Sequence, residues 1–132
     1  MQTFLPYPDF EKSAASLDSR RLGKQRAEAL TIIRCLVKPN GWVHHPAVKM
    51  WRGYDDALKA YMNACIDEWV RRGYANNMER MPHAPNPQMP PWLGDPEFHR
   101  SHQSNLVRKD PEYYRRVFPD VPDDLPYVWP VK

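Results

Sequence analysis

Apolar and aromatic side chains at Trp51, Tyr54, Leu58, Tyr61, Cys65 and Trp69 recur at spacings of three and four. That is the repeat of an α-helix that buries one face. No other stretch is as periodic, and a stripe this rich in large rings must be covered by other elements, so it reads as core rather than as a ligand platform. Pro46 suits the first position of this helix and Gly73 stops it. Gly53 is a point where it kinks or divides, which would leave Pro46 to Arg52 as a separate turn.

A second long helix precedes it. From Ser16 or Asp18, either able to cap, apolar residues fall at Leu22, Ala29, Ile33 and Leu36, with Leu30, Ile32 and Val37 widening the stripe. This predicts a helix from about Leu17 to Val37, ended by Pro39-Asn40-Gly41. Ahead of it, Met1 to Pro8 carries Pro6 and Pro8 and reads as an extended arm pinned to the core by its apolar residues. Five prolines between Ala75 and Pro91 describe a long loop. Asp95-Pro96-Glu97 and Asp110-Pro111-Glu112 each place an acidic cap, a proline and a second carboxylate at a helix start. They predict short helices over Pro96 to Arg108 and Pro111 to Val117. The tail from Pro119 to Lys132 runs extended, anchored by Tyr127 and Trp129. The expected fold is all-α: one compact domain over residues 1–132 with two long and two short helices, an extended N-terminal arm, a proline-rich loop and an extended C-terminal tail.

A net charge of +3 tilts the chain only weakly towards an acidic partner, so the placement of charge has to decide. Cys35 and Cys65 lie in apolar helical stretches without a second cysteine nearby, as reduced core residues do. No apolar run approaches the roughly 18 residues of a membrane span, and no basic-then-apolar leader opens the sequence. A cytoplasmic protein is expected, with no membrane and no obligatory protein partner.

On the first helix, Arg21 and Glu28 are seven apart and nearly eclipsed, with Lys24 and Gln25 one turn before Glu28 on the same face. Arg20 and Lys24 continue a stripe towards Thr31 and Arg34 that suits phosphates. Periodicity alone describes this equally as a solvated face with an ordinary Lys24–Glu28 pair. Arg108, Lys109, Arg115 and Arg116 form another basic cluster, explained either by a ligand or by the negative end of a helix. Trp42 and Trp92 sit in loops beside Gly or Pro, where an aromatic can be presented. His99 and His102, three apart, together with His44 and His45, raise a metal site, but no carboxylate or cysteine completes a ligand motif. His45 and His102 fit better as hydrogen-bonding residues lining one cleft with the basic face of the first helix.

The run Leu17-Asp18-Ser19-Arg20-Arg21-Leu22, followed six residues later by Glu28, resembles the first-helix signature of the pyrimidine-dimer DNA glycosylases of the phage endonuclease V type. The likeness continues through Gly41-Trp42-Val43-His44-His45-Pro46, Val70-Arg71-Arg72-Gly73-Tyr74 and Leu106 to Tyr114, as in an uncharacterised bacterial branch. It implies a helical DNA-repair glycosylase, in many members also an abasic-site lyase, that flips a nucleotide out of double-stranded DNA to reach the sugar C1′. The α-amine would be the nucleophile and the first-helix glutamate the essential carboxylate, so the resemblance assigns these roles to Met1 and Glu28. Gln2 is too large for trimming of the initiator residue, which leaves the amine on Met1. Arg20, Arg21, Lys24, Gln25, His45, His102, Arg108, Lys109 and Tyr113 become the expected DNA contacts.

The chemistry is consistent with those roles. An ordinary α-amine titrates at roughly 8, so a useful fraction is neutral and can form an imine at C1′. A nearby carboxylate stabilises positive charge and shuttles protons, and neither metal nor cofactor is needed. Ala27 and Thr31 stand where the phage enzyme carries arginines, which separates lesion recognition from the phage pattern. The other functions compatible with the residues are a non-catalytic nucleic-acid-binding protein and a metal-dependent hydrolase using the histidines.

Overall fold

Asp18 begins the longest helix. Its carboxylate accepts the Arg21 N–H at 3.3 Å, satisfying one of the donors that a first turn leaves unpaired. The computed structural model describes residues 1–131, and among them run α1 (Phe10–Ser16), α2 (Ser19–Val37), α3 (Pro46–Lys49), α4 (Asp55–Arg71), α5 (Pro96–Lys109) and α6 (Pro111–Val117), with no strand. The fold is all-α, as the sequence implies. Lys132, the end of the expected tail, lies outside the described residues.

The structure adds one helix and divides another. After the arm, Asp9 accepts the Lys12 N–H at 2.8 Å and caps the two-turn α1. The long aromatic stripe is carried by two elements rather than one. Pro46 opens only the single turn of α3, the Tyr54 N–H then closes on the Trp51 carbonyl at 2.8 Å, and Gly53 takes a φ of +86° that side-chain-bearing residues avoid. The separate turn before Gly53 is therefore what forms.

Packing of α2 on α4 makes the centre of the molecule. Leu22, Ala29, Ile32 and Ile33 meet Leu58, Tyr61, Met62 and Cys65, all of them buried. A Cβ on Gly23 would lie 2.8 Å from the Trp69 ring, so the helices approach this closely only because position 23 has none. Trp51 lies parallel to Tyr61 and edge-on to Trp92 at 5.0 Å. Each such ring contributes on the order of 2–3 kcal/mol by leaving water. The corner between α1 and α2 is held by Arg72, which pairs with Glu68 at 2.8 Å and donates to the carbonyls of Leu17 at 2.7 Å and Ala15 at 3.1 Å. Cys35 and Cys65 are free thiols in the core. No helix among the described residues is long and apolar enough to cross a membrane.

The proline-rich loop is strapped to α4 by Asn63, whose carboxamide donates to the Met81 carbonyl at 2.8 Å and accepts its N–H at 2.9 Å. The tail returns along α5, where Ser104 accepts the Leu125 N–H at 3.0 Å and Arg108 donates to the Asp123 carbonyl at 2.9 Å. It thereby brings Tyr127 back to the Gln2 side chain of the N-terminal arm and Trp129 against His45.

Candidate functional site

Residues 2–6 run extended through the interior, where no neighbouring strand can satisfy their peptide groups. Side chains do so instead. Gln25 donates to the Gln2 carbonyl at 2.8 Å and accepts the Phe4 N–H at 2.6 Å, pairing with the arm as the edge of a strand would. Tyr61 donates its hydroxyl to the Phe4 carbonyl. The Leu5 N–H donates to His102 Nδ1 at 2.9 Å, His99 Nδ1 meets the Leu5 carbonyl at 2.7 Å, and Gln103 donates to the Pro6 carbonyl at 2.8 Å. Trp51 Nε1 donates to the Thr3 hydroxyl at 3.0 Å.

This lattice fixes where the first residue stands. Met1, Gln2 and Phe4 line one side of a cleft of about 320 Å³, and Arg20, Arg21, Lys24 and Glu28 of α2 line the other, with Lys109 at the end of α5. Glu28 Oε2 accepts the Gln2 N–H at 3.2 Å and its Oε1 lies 3.8 Å from Lys24 Nζ. The Glu28 side chain is 21% exposed and Lys24 75%, so the carboxylate is held while the ammonium reaches into solvent. Arg21 is fixed by Asp18 at 3.3 Å and approaches Asp110 at 4.0 Å. Burial alone would raise the Asp18 carboxyl, but hydrogen bonds from Tyr114 and Arg21 outweigh it and hold the group below its ordinary range. Asp18 thus stays ionised and keeps Arg21 in place.

His45 is not among the residues lining the cleft but lies close enough to the amino terminus to feel its charge. Its Nδ1 accepts the Ala47 N–H at 3.0 Å, which caps α3 and leaves the ring proton on Nε2. Burial, and then the positive amino terminus, lower its affinity for a second proton. The ring packs edge-on to Trp42 at 5.8 Å and to Trp129 at 6.1 Å.

Two expected DNA contacts are placed differently. His102 is wholly buried, pushed down to about 3 by that burial and then by His99, and it serves the arm rather than any surface. Its Nε2 has no partner among the described residues. Gln25 is likewise buried and acts on the arm. Arg108 is exposed but tied to the tail, whereas Lys109 reaches the cleft and Tyr113 lies at the surface edge-on to Tyr114. Trp92 is buried, with Nε1 donating to the Met50 carbonyl at 3.0 Å, and so presents no face to a ligand; Trp42 is 49% exposed.

The histidines do not assemble a metal centre. His99 Nε2 takes the Gly94 N–H at 2.8 Å and His102 Nδ1 takes that of Leu5, so both lone pairs are engaged. No group of three or more His, Cys, Asp or Glu with metal-binding geometry occurs among the described residues.

Tyr61, His99, Gln103 and Tyr127 also hold the arm, a role that no local sequence pattern marks. One signal in the sequence points towards Gln25: it falls within the apolar stripe, three residues after Leu22 and four before Ala29. A polar side chain there must meet a buried polar partner.

A cationic cleft with one carboxylate can hold an anion while that carboxylate stabilises a positive centre or carries a proton. A family model described as pyrimidine dimer DNA glycosylase matches residues 1–82, from the arm through α4 into the proline-rich loop. No curated protein and no solved structure matches the chain.

Proposed function

This chain belongs to the pyrimidine dimer DNA glycosylase family, and on that premise we propose that it excises a damaged or modified base from double-stranded DNA and then cleaves the strand as an abasic-site lyase. The observation that carries this reading is the hydrogen bond from the Gln2 N–H to Glu28. It holds the Glu28 carboxylate one peptide unit from the first residue, in a cleft also lined by Arg20, Arg21, Lys24 and Lys109.

In this reading the cations grip the phosphates flanking the target, whose nucleotide is turned out of the stack. The neutral amine of Met1 attacks C1′; the bond from C1′ to the base nitrogen breaks, and the base leaves with that electron pair and a proton. The amine nitrogen loses its proton as the sugar ring opens, O4′ takes one up, and an imine joins residue 1 to C1′. Glu28 stabilises the cationic sugar and relays these protons. Removal of a C2′ proton then expels the 3′ phosphate, and water hydrolyses the imine to return the amine. His45 and Tyr113 border the path of the DNA.

Borohydride reduction in the presence of a duplex containing an abasic site tests the proposal. The expected result is a covalent adduct whose peptide map places the sugar remnant on Met1. Salt-sensitive binding with no adduct would instead favour a non-catalytic DNA-binding protein. Base release without an adduct would remove the amine from the mechanism and retain Glu28.

A further inference from the structure

Beside the cationic cleft stands an indole whose exposure the core does not explain. Trp42 is 49% exposed, yet its backbone is firmly held: Asn40 Oδ1 accepts its N–H at 2.9 Å, and its carbonyl accepts the His45 N–H at 2.9 Å. The ring packs edge-on with His45, which is itself fixed by capping α3 and also packs edge-on with Trp129. Trp129 in turn rests on Tyr127 at 4.6 Å, and Tyr127 bonds the Gln2 side chain. The aromatic cluster therefore begins where the cleft ends, around the first two residues. Tyr74, another exposed ring, is stacked on Trp69 at 4.3 Å and so has its face covered.

We propose that Trp42, braced by His45 and Trp129, is the stacking surface for one unpaired nucleobase of the DNA gripped in the adjoining cleft. The inference rests on the DNA reading above. Its occupant follows from continuity and charge: a ligand that lies across Arg20, Arg21 and Lys24 is anionic, and one that extends past residue 1 onto a rigid indole offers it a flat aromatic group. A nucleotide joins both features within one covalent unit. Indole stacking accepts any base, so this surface contributes grip on an everted or unpaired base without selecting its identity.

The test compares Trp42→Ala and Trp42→Phe with wild type. Fluorescence anisotropy measures affinity for a duplex carrying a tetrahydrofuran abasic analogue opposite 2-aminopurine, for the fully paired duplex, and for a single-stranded oligonucleotide. The alanine variant is expected to bind the analogue duplex and the single strand roughly 10-fold more weakly. Binding to the paired duplex and thermal stability should be unchanged, and Phe should recover most of the loss. The 2-aminopurine emission that wild type quenches should stay bright with Ala. Equal affinity of Ala and wild type for the analogue duplex overturns the proposal, as does an equal loss on paired and unpaired DNA. If wild type forms no borohydride adduct, the amine mechanism fails by itself. The single-strand comparison still decides the stacking role: a loss specific to Ala supports it and no loss overturns it.

Discussion

Glu28 Oε2 accepts the backbone N–H of Gln2 at 3.2 Å, across 26 positions of sequence. The carboxylate is thereby oriented by the chain segment on which it would act. Glu28→Gln keeps the side chain's shape and an acceptor for this N–H but removes the negative charge. Single-turnover cleavage should fall by about 10²–10⁴-fold, while affinity for an abasic-analogue duplex stays within a few-fold of wild type. An unchanged cleavage rate would remove Glu28 from the site.

Gln25 should matter for stability and for chemistry together. Gln25→Ala leaves the buried Phe4 N–H and the Gln2 carbonyl without their partners, at a cost of about 2–4 kcal/mol in denaturant unfolding. With the arm loosened, adduct yield should drop while salt-sensitive DNA binding persists. Gln25→Glu, which still accepts from Phe4 and cannot donate to Gln2, should fall between.

Cations of the cleft and of the tail should separate by salt dependence. Arg20→Ala and Lys24→Ala each remove a phosphate contact, so each should reduce the slope of log affinity against log salt by roughly 0.9. Arg108→Ala removes a guanidinium already engaged with the Asp123 carbonyl and should leave that slope nearly unchanged. Anisotropy titrations across salt concentrations give the three slopes, and a change for Arg108 equal to that for Lys24 would place Arg108 on the DNA.

His102 gives the fold a defined response to acid. Burial pushes it down to about 3, against roughly 6.5 in the unfolded chain. Between those values the unfolded chain binds a proton that the folded chain excludes. Its contribution to stability therefore falls as pH drops below the unfolded value, by about 2 kcal/mol at pH 5. His102→Asn retains an acceptor for the Leu5 N–H and does not titrate. Urea unfolding at pH 7.5 and pH 5 should show a smaller loss for the variant by about that amount, and equal losses would contradict the assignment.

How much of this was legible in the sequence follows from the range of the interactions. Asp18, Asp95 and Asp110 cap helices because capping is local, and the α2 stripe is read from neighbours three and four apart. The two-turn α1 is too short to show a period, and Gly53 marked a break without saying that it would be complete. Position along α2 put Glu28, Lys24 and Arg21 on one face. Only the folded arm puts Met1 opposite them. His102 looked like a cleft residue because nothing local reveals that Leu5, 97 positions away, takes its lone pair. Trp92 looked free for the same reason, since its burial depends on Trp51 and Phe98.

The arm also sets a timetable for the molecule. Synthesis delivers Leu5 and Pro6 early, yet the imidazoles of His99 and His102 and the amide of Gln103 that receive them belong to the last third of the chain. Until that helix leaves the ribosome, the peptide groups of Leu5 and the Pro6 carbonyl have only water to bond. Closure of such distant contacts slows folding, and the cleft around residue 1 can only be completed by the end of the chain made last.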